Sequence, residues 1–137
     1  MGTVRFGVSM DSALLARFDQ QVVQGRYANR SEAIRDLVRG ELVRRAWQSG
    51  EVVVGVIALV YDHHVRGLEA RLTDLQHREH AHVLSSMHVH LDHDYCLEVI
   101  AVKGPGDRVS DLAATLIGLR GVRHGRLTAT AAGGVFG

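Results

Sequence analysis

Between Val4 and Met10 the chain alternates, with Phe6, Val8 and Met10 on one face and Arg5, Gly7 and Ser9 on the other. Period two is the signature of a half-buried strand. The period then changes. Leu14, Leu15, Phe18, Val22 and Val23 recur at helical spacing behind Asp11 or Ser12, either of which can cap a helix, and Gly25 is the expected stop. Asn29 with Glu32 three positions later forms a second capping signal, opening a helix with Ala33, Ile34, Leu37, Val38 and Leu42 on one face. A lone strand followed by two helices has no pairing partner in its own chain. A second copy is the natural supplier, giving a two-stranded ribbon over four helices.

Gln48-Ser49-Gly50 reads as a short hinge, after which Val52 to Val60 is almost continuously apolar, as expected for a strand covered on both faces. Val65, Leu68, Leu72 and Leu75 return to helical spacing. Strands are predicted through His82 to Leu91 and from Cys96 to Val102, joined by the turn Asp92-His93-Asp94-Tyr95. Pro105-Gly106 breaks the chain before an amphipathic helix with Val109, Leu112, Ala113, Leu116 and Ile117, and Val122 to Thr130 supplies a last strand. The order βαββαβ is the ferredoxin-like unit. The expected class is therefore α+β: a βαα domain over residues 1–48, a ferredoxin-like domain over 51–131, and a disordered tail over 132–137.

Composition sharpens this division. The net charge is only +1, yet residues 1–48 carry eight arginines against five carboxylates, and all nine histidines lie at or beyond His63. Basic charge in front and imidazole behind suggest a nucleic-acid binder joined to a metal-binding module. No stretch of eighteen apolar residues is free of charge, and no basic segment followed by an apolar run opens the chain, so a cytoplasmic protein with no membrane span is expected. Cys96 is the only cysteine and stays available as a thiol or a ligand.

The chemistry concentrates on one predicted hairpin. Side chains two apart on a strand share a face, roughly 7 Å apart along the chain, so His88 and His90 can converge on one ion while the turn returns Cys96 beside them. Nitrogen and sulfur donors of this kind suit borderline divalent metals. Two polar residues on an exposed strand, with Cys96 packing as a small hydrophobe, would give the same pattern. Glu98 has the parity of Cys96 and could fix the tautomer of a ligand ring, and Tyr61 is grouped with it as a supporting residue. Glu32 and Asp36, four apart on one helix face, could share a cation or simply form a charged outer surface. His63, His64, His80, His82 and His93 are ordinary surface histidines or members of weaker secondary metal sites.

The strand-helix-helix pattern and the run Asn29-Arg30-Ser31-Glu32-Ala33-Ile34-Arg35-Asp36 resemble the ribbon-helix-helix repressors over residues 4 to about 46. The resemblance implies a ribbon inserted in the major groove of palindromic operator DNA, with Arg5, Gly7 and Ser9 facing the bases. Arginine and serine can read base edges, whereas Gly7 departs from the usual polar residue. Arg30 and Arg35 are expected to meet phosphates, as is Arg66 on the first helix of the second domain.

With Gln76-His77, Met87-His88-Val89-His90 and Asp94-Tyr95-Cys96-Leu97-Glu98, nearly the whole chain is similar to the NikR-type nickel-responsive repressors. That resemblance implies an ACT-like regulatory domain and a homotetramer built as a dimer of dimers. It also implies one Ni(II) per subunit, held between chains by His88, His90, Cys96 and a neighbour's His77, and an alkali ion such as K+ at Glu32 and Asp36. Four-coordinate sites of this composition are near-planar for Ni(II) or Cu(II) and tetrahedral for zinc. A regulator sensing copper, cobalt, zinc or a small molecule through the same domain is the alternative. An enzyme is not expected, since neither a zincin helix nor a Gly-rich phosphate loop is present.

Overall fold

The computed structural model describes residues 2–137, with helices and strands in the order ααβαββαβ and a short 3-10 turn at the end. The chain divides into two compact units, one ending at Gly40 and the other beginning at Glu41. The division falls inside a continuous helix, eight residues before the boundary expected from composition.

The first unit is helical. Helix α1, Ser12–Gln24, starts at Asp11, whose carboxylate accepts from the Leu14 N–H at 2.8 Å. It ends at Gly25, whose N–H donates to the Gln21 carbonyl at 2.8 Å, and Arg26 then takes the left-handed turn with φ of 58°. Helix α2, Arg30–Gln48, is capped by Asn29, which accepts from the Glu32 N–H at 2.9 Å. Residues 2–11 belong to no strand. A strand exists only through hydrogen bonds to a neighbour, and this chain offers the segment none. Phe6 is accordingly 75% exposed, with Val8 and Met10 also open to solvent.

The second unit is a four-stranded antiparallel sheet in the order β2-β3-β1-β4, built from β1 (Val52–Asp62), β2 (Val83–His90), β3 (Tyr95–Pro105) and β4 (Val122–Ala131). Helices α3 (Leu68–Arg78) and α4 (Gly106–Ile117) supply Leu68, Leu72, Val109, Leu112, Ala113 and Leu116 to one core with Ile57, Leu59, Ile100 and Val102 from the sheet. This is the expected βαββαβ order. Trp47, near the end of α2, joins the same unit by donating its indole N–H to the Thr130 carbonyl at 2.8 Å.

Two expectations need revision. Strand β1 is not covered on both faces: Val53, Ile57, Leu59 and Tyr61 are buried, while Val52 and Val56 on the opposite face are exposed. Its unbroken apolar run therefore reflects one face against the helices and another left bare in a single chain. The tail, expected to be disordered, closes a 3-10 turn over Gly133–Phe136, with the Val135 N–H donating to the Ala132 carbonyl at 3.0 Å.

The turn into β4 depends on Gly121. Its φ is 98°, a Cβ there would meet Leu68 at 2.8 Å and Val65 at 2.9 Å, and its carbonyl accepts from the Asp62 N–H at the end of β1. Gly121→Ala should cost about 1–3 kcal/mol from the backbone conformation alone. Equilibrium denaturation would check this, and an unchanged midpoint would mean that the turn adopts another conformation freely.

Candidate metal centre

Pairing register builds the centre. On the β2–β3 ladder His90 stands opposite Cys96 and His88 opposite Glu98, while on the β1–β3 ladder Tyr61 stands opposite Cys96. Cross-strand partners share a face, so all five side chains gather on the helix-covered side of the sheet, at the end where the β2–β3 turn closes. Asp92 holds that turn, accepting the N–H groups of Asp94 at 2.9 Å and Tyr95 at 2.8 Å. These two bonds hold its carboxyl below the usual range.

Three donors converge. One ligand atom each from His88, His90 and Cys96 lies within 4.8 Å of the others. Cys96 Sγ is 3.4 Å from His90 Nδ1, and the His88 and His90 ring centroids are 5.1 Å apart. Both imidazoles reach solvent, whereas Cys96 is 0% exposed and forms part of the hydrophobic core. Burial pushes the thiol pKa up, with the Glu69 carboxylate adding to the effect. The sulfur is therefore protonated at neutral pH, and a bound metal would have to displace that proton.

Behind the donors lies a polar support. His88 Nδ1 is 2.9 Å from Tyr61 Oη and 3.3 Å from Glu98 Oε2. A proton on Nδ1 suits the carboxylate and the phenol oxygen together, and leaves the Nε2 lone pair for a metal. Burial, with the charges of Glu69 and Glu98, raises the Tyr61 pKa, so it remains a phenol. Glu98 is itself buried and accepts from Gln76 Nε2 at 3.3 Å. Glu98 and Tyr61 are among the residues the sequence singles out, and Gln76 is not. The available signal was an amide among the inward positions of α3, four after Leu72.

His77 does not join the three donors within this chain. It is exposed in the last turn of α3 and lines, with Gln76, His80, Ser86 and Glu98, a cavity of about 280 Å³. Arg66 is exposed in the turn before α3 and not on the helix, because α3 starts at Leu68 after the left-handed Gly67.

In the first unit Arg5, Gly7 and Ser9 are all exposed. Arg30 makes a two-pronged bond to Asp19, 2.8 Å on each arm, which joins α1 to α2. Arg35 pairs with Glu32, and the Tyr27 hydroxyl donates to Asp36. Glu32 and Asp36 thus each have their own partner.

A helical unit carrying an unpaired N-terminal strand sequence, followed by a ferredoxin-like unit with a His-His-Cys cluster, defines a metal-linked DNA-binding protein in outline. Residues 4–45 match the model of the ribbon-helix-helix proteins of the copG family, and residues 54–130 match that of the NikR C-terminal nickel-binding domain. Proteins named as nickel-responsive regulators are similar over almost the full length. That of Solibacter usitatus is 54% identical over 133 residues, 96% of each chain. That of Solidesulfovibrio magneticus is 53% identical and that of Geobacter sulfurreducens 52%, each over 132 residues, covering 96% of this chain and 95% of the relative. The chain belongs to the nickel-responsive regulator family.

If His88 is a nickel ligand held by its 3.3 Å contact with Glu98, Glu98→Ala should lower nickel affinity by about 10–100-fold with helix and strand content unchanged. A chelator-competition titration measures this. Undiminished affinity would mean that the ring keeps its orientation without the carboxylate.

Proposed function

We propose that this protein is a transcriptional regulator that binds operator DNA when Ni(II) occupies a site made by His88, His90 and Cys96 of one chain and His77 of a neighbour. The convergence of the three donors on one end of the hairpin carries the reading. Two imidazoles and a thiol suit nickel, and the Tyr61-Glu98-Gln76 support gives the His88 ring a fixed direction. His77, exposed and apart from the cluster, is free to serve another chain. Nickel, when bound, supplies a cross-link between subunits, with one ion per subunit.

Several uncovered surfaces support assembly into a tetramer. Val52 and Val56 of β1 are exposed, and Met87 and Val89 of β2, opposite Val99 and Leu97, lie on that same face of the sheet. A second sheet packed there would give β1 the cover that its sequence anticipates. In the first unit Ala33 is the only buried apolar residue among those described, while Phe6, Val8, Leu14, Leu37 and Val38 are exposed. Pairing residues 4–10 with their copy in a second chain would cover Phe6, Val8 and Met10 and turn Arg5, Gly7 and Ser9 outward to the major groove.

Two such ribbons, joined through the second units, fit a palindromic operator. Metal affinity and DNA affinity are then linked, since an ion that favours the DNA-competent arrangement must itself be held more tightly when DNA is bound. The remaining basic contacts supply salt-sensitive affinity. Arg35 meets phosphate by exchanging Glu32, and Arg30 by exchanging Asp19. An alkali ion such as K+ at Glu32 and Asp36 belongs to the same reading, with Arg35 and Tyr27 as the groups it displaces.

Cys96→Ala or His90→Ala should abolish nickel-stimulated operator binding, together with the thiolate-to-nickel absorption band in the cysteine variant, while the fold persists. Nickel stimulation that survives either change would refute the ligand assignment. Arg5→Ala should weaken binding to the operator by about 1–3 kcal/mol, and weaken binding to unrelated DNA less. An equal loss on both, measured by fluorescence anisotropy at fixed salt, would remove Arg5 from base reading.

A further inference from the structure

Helix α2 is one helix by its backbone and two pieces by its contacts. Its first turns are fixed to α1 and the loop after it: Arg30 bonds to Asp19 at 2.8 Å on each arm, Ala33 is buried, and Tyr27 bonds to Asp36. Its last turns are fixed to the second unit. Trp47 donates to the Thr130 carbonyl, Ala46 is buried, and Gly106 packs so closely that a Cβ there would meet the Trp47 carbonyl oxygen at 2.6 Å. Leu42 and Ala46 also line one cavity with Val135 of the tail.

The stretch between these anchors is bare. All eight residues from Arg35 to Leu42 are exposed. Side-chain bonds stop short of Gly40 on both sides: Arg35 pairs back to Glu32, whereas Arg44 and Arg45 pair back to Glu41 at 2.6 and 3.1 Å, and among the described residues none spans it. A Cβ on Gly40 would meet nothing within 4 Å, so no neighbour within the chain requires glycine there. Glycine inside a helix weakens it relative to alanine, because the non-helical backbone gains freedom. This weak point coincides with the boundary between the two compact units, which falls between Gly40 and Glu41.

We propose that Gly40 is the joint of this regulator: α2 flexes there, and residues 41–48 form a lever that moves with the second unit. The Gln48-Ser49-Gly50 segment, where the change of composition suggests a hinge, then lies beyond the joint and is held, since the Ser49 N–H donates to the Arg45 carbonyl at 2.9 Å. Opening at Gly40 releases the N–H groups of residues 41–44 from the preceding turn and leaves both flanks helical. A small residue that absorbs a change of backbone angle is the usual material of a hinge. Resting on the operator binding proposed above, the joint lets two ribbons adjust to the separation of two half-sites, which an unbroken stiff helix would not allow.

Amide hydrogen exchange on the full-length protein without added metal tests the joint. Protection at residues 41–44 should lie about 10-fold or more below that at residues 33–36 and 46–48, and Gly40→Ala should raise it by about five-fold at residues 41–44 alone. Even protection along α2, or a rise spread over the whole helix, would overturn the proposal. So would loss of the native oligomer in Gly40→Ala by sedimentation velocity, which would mean that the glycine serves close packing of a second chain. A second arm uses the nickel-loaded protein on a palindromic operator and on a copy with half-sites one base pair further apart. Gly40→Ala should lose about five-fold more affinity on the wider copy than the unaltered protein loses, and equal losses would remove the joint from operator reach. Failure of the unaltered protein to bind either DNA would refute the operator reading, and the exchange pattern would still decide the joint.

Discussion

Everything at the candidate metal centre rests on the register of one antiparallel ladder. With His90 opposite Cys96 and His88 opposite Glu98, donors and support share a face and meet at the end of the hairpin. A slip of one residue would send each side chain to the opposite face, replacing the imidazoles by Val89 and Met87. The Asx turn at Asp92 and the continuous pairing of β3 with β1 from Tyr95 to Pro105 together hold the register. The same pairing sets Tyr61 opposite Cys96, so the support behind the ligands follows from the backbone ladder too.

Around that ladder the protein is incomplete as a single chain, and the incompleteness has a consistent direction. The first unit leaves most of its apolar residues exposed, the sheet leaves one face bare, and the three donors of the centre lack the fourth expected of them. The proposed assembly with further copies of the chain would fill each gap. In the proposed tetramer, burial of the bare sheet face and completion of the metal site both depend on assembly.

Much of this was legible in the sequence because period and parity are local properties. The spacing of His88, His90 and Cys96 fixes which face each occupies once the hairpin is accepted, and Asn29 announces α2 as its cap. What was not legible depends on chain segments distant in sequence. Gln76 looks like any helical glutamine until α3 is seated on the sheet beside Glu98. Arg30 reads as a phosphate contact until α1 brings Asp19 to it. The apolar run of β1 suggested cover on both faces, but sequence alone could not say that only one face is covered within the chain.

Cys96 belongs at once to the candidate metal centre and to the hydrophobic core, touching solvent nowhere. A surface ligand can be exchanged for a different donor with little disturbance to its neighbours, but a ligand embedded among Leu72, Ile100 and their companions cannot. A bulkier imidazole in place of the sulfur would require room that close packing does not leave, and a carboxylate would put a charge into the apolar core. With Cys96 as the proposed ligand, drift toward harder ions is opposed by the packing of the protein interior as well as by coordination preference.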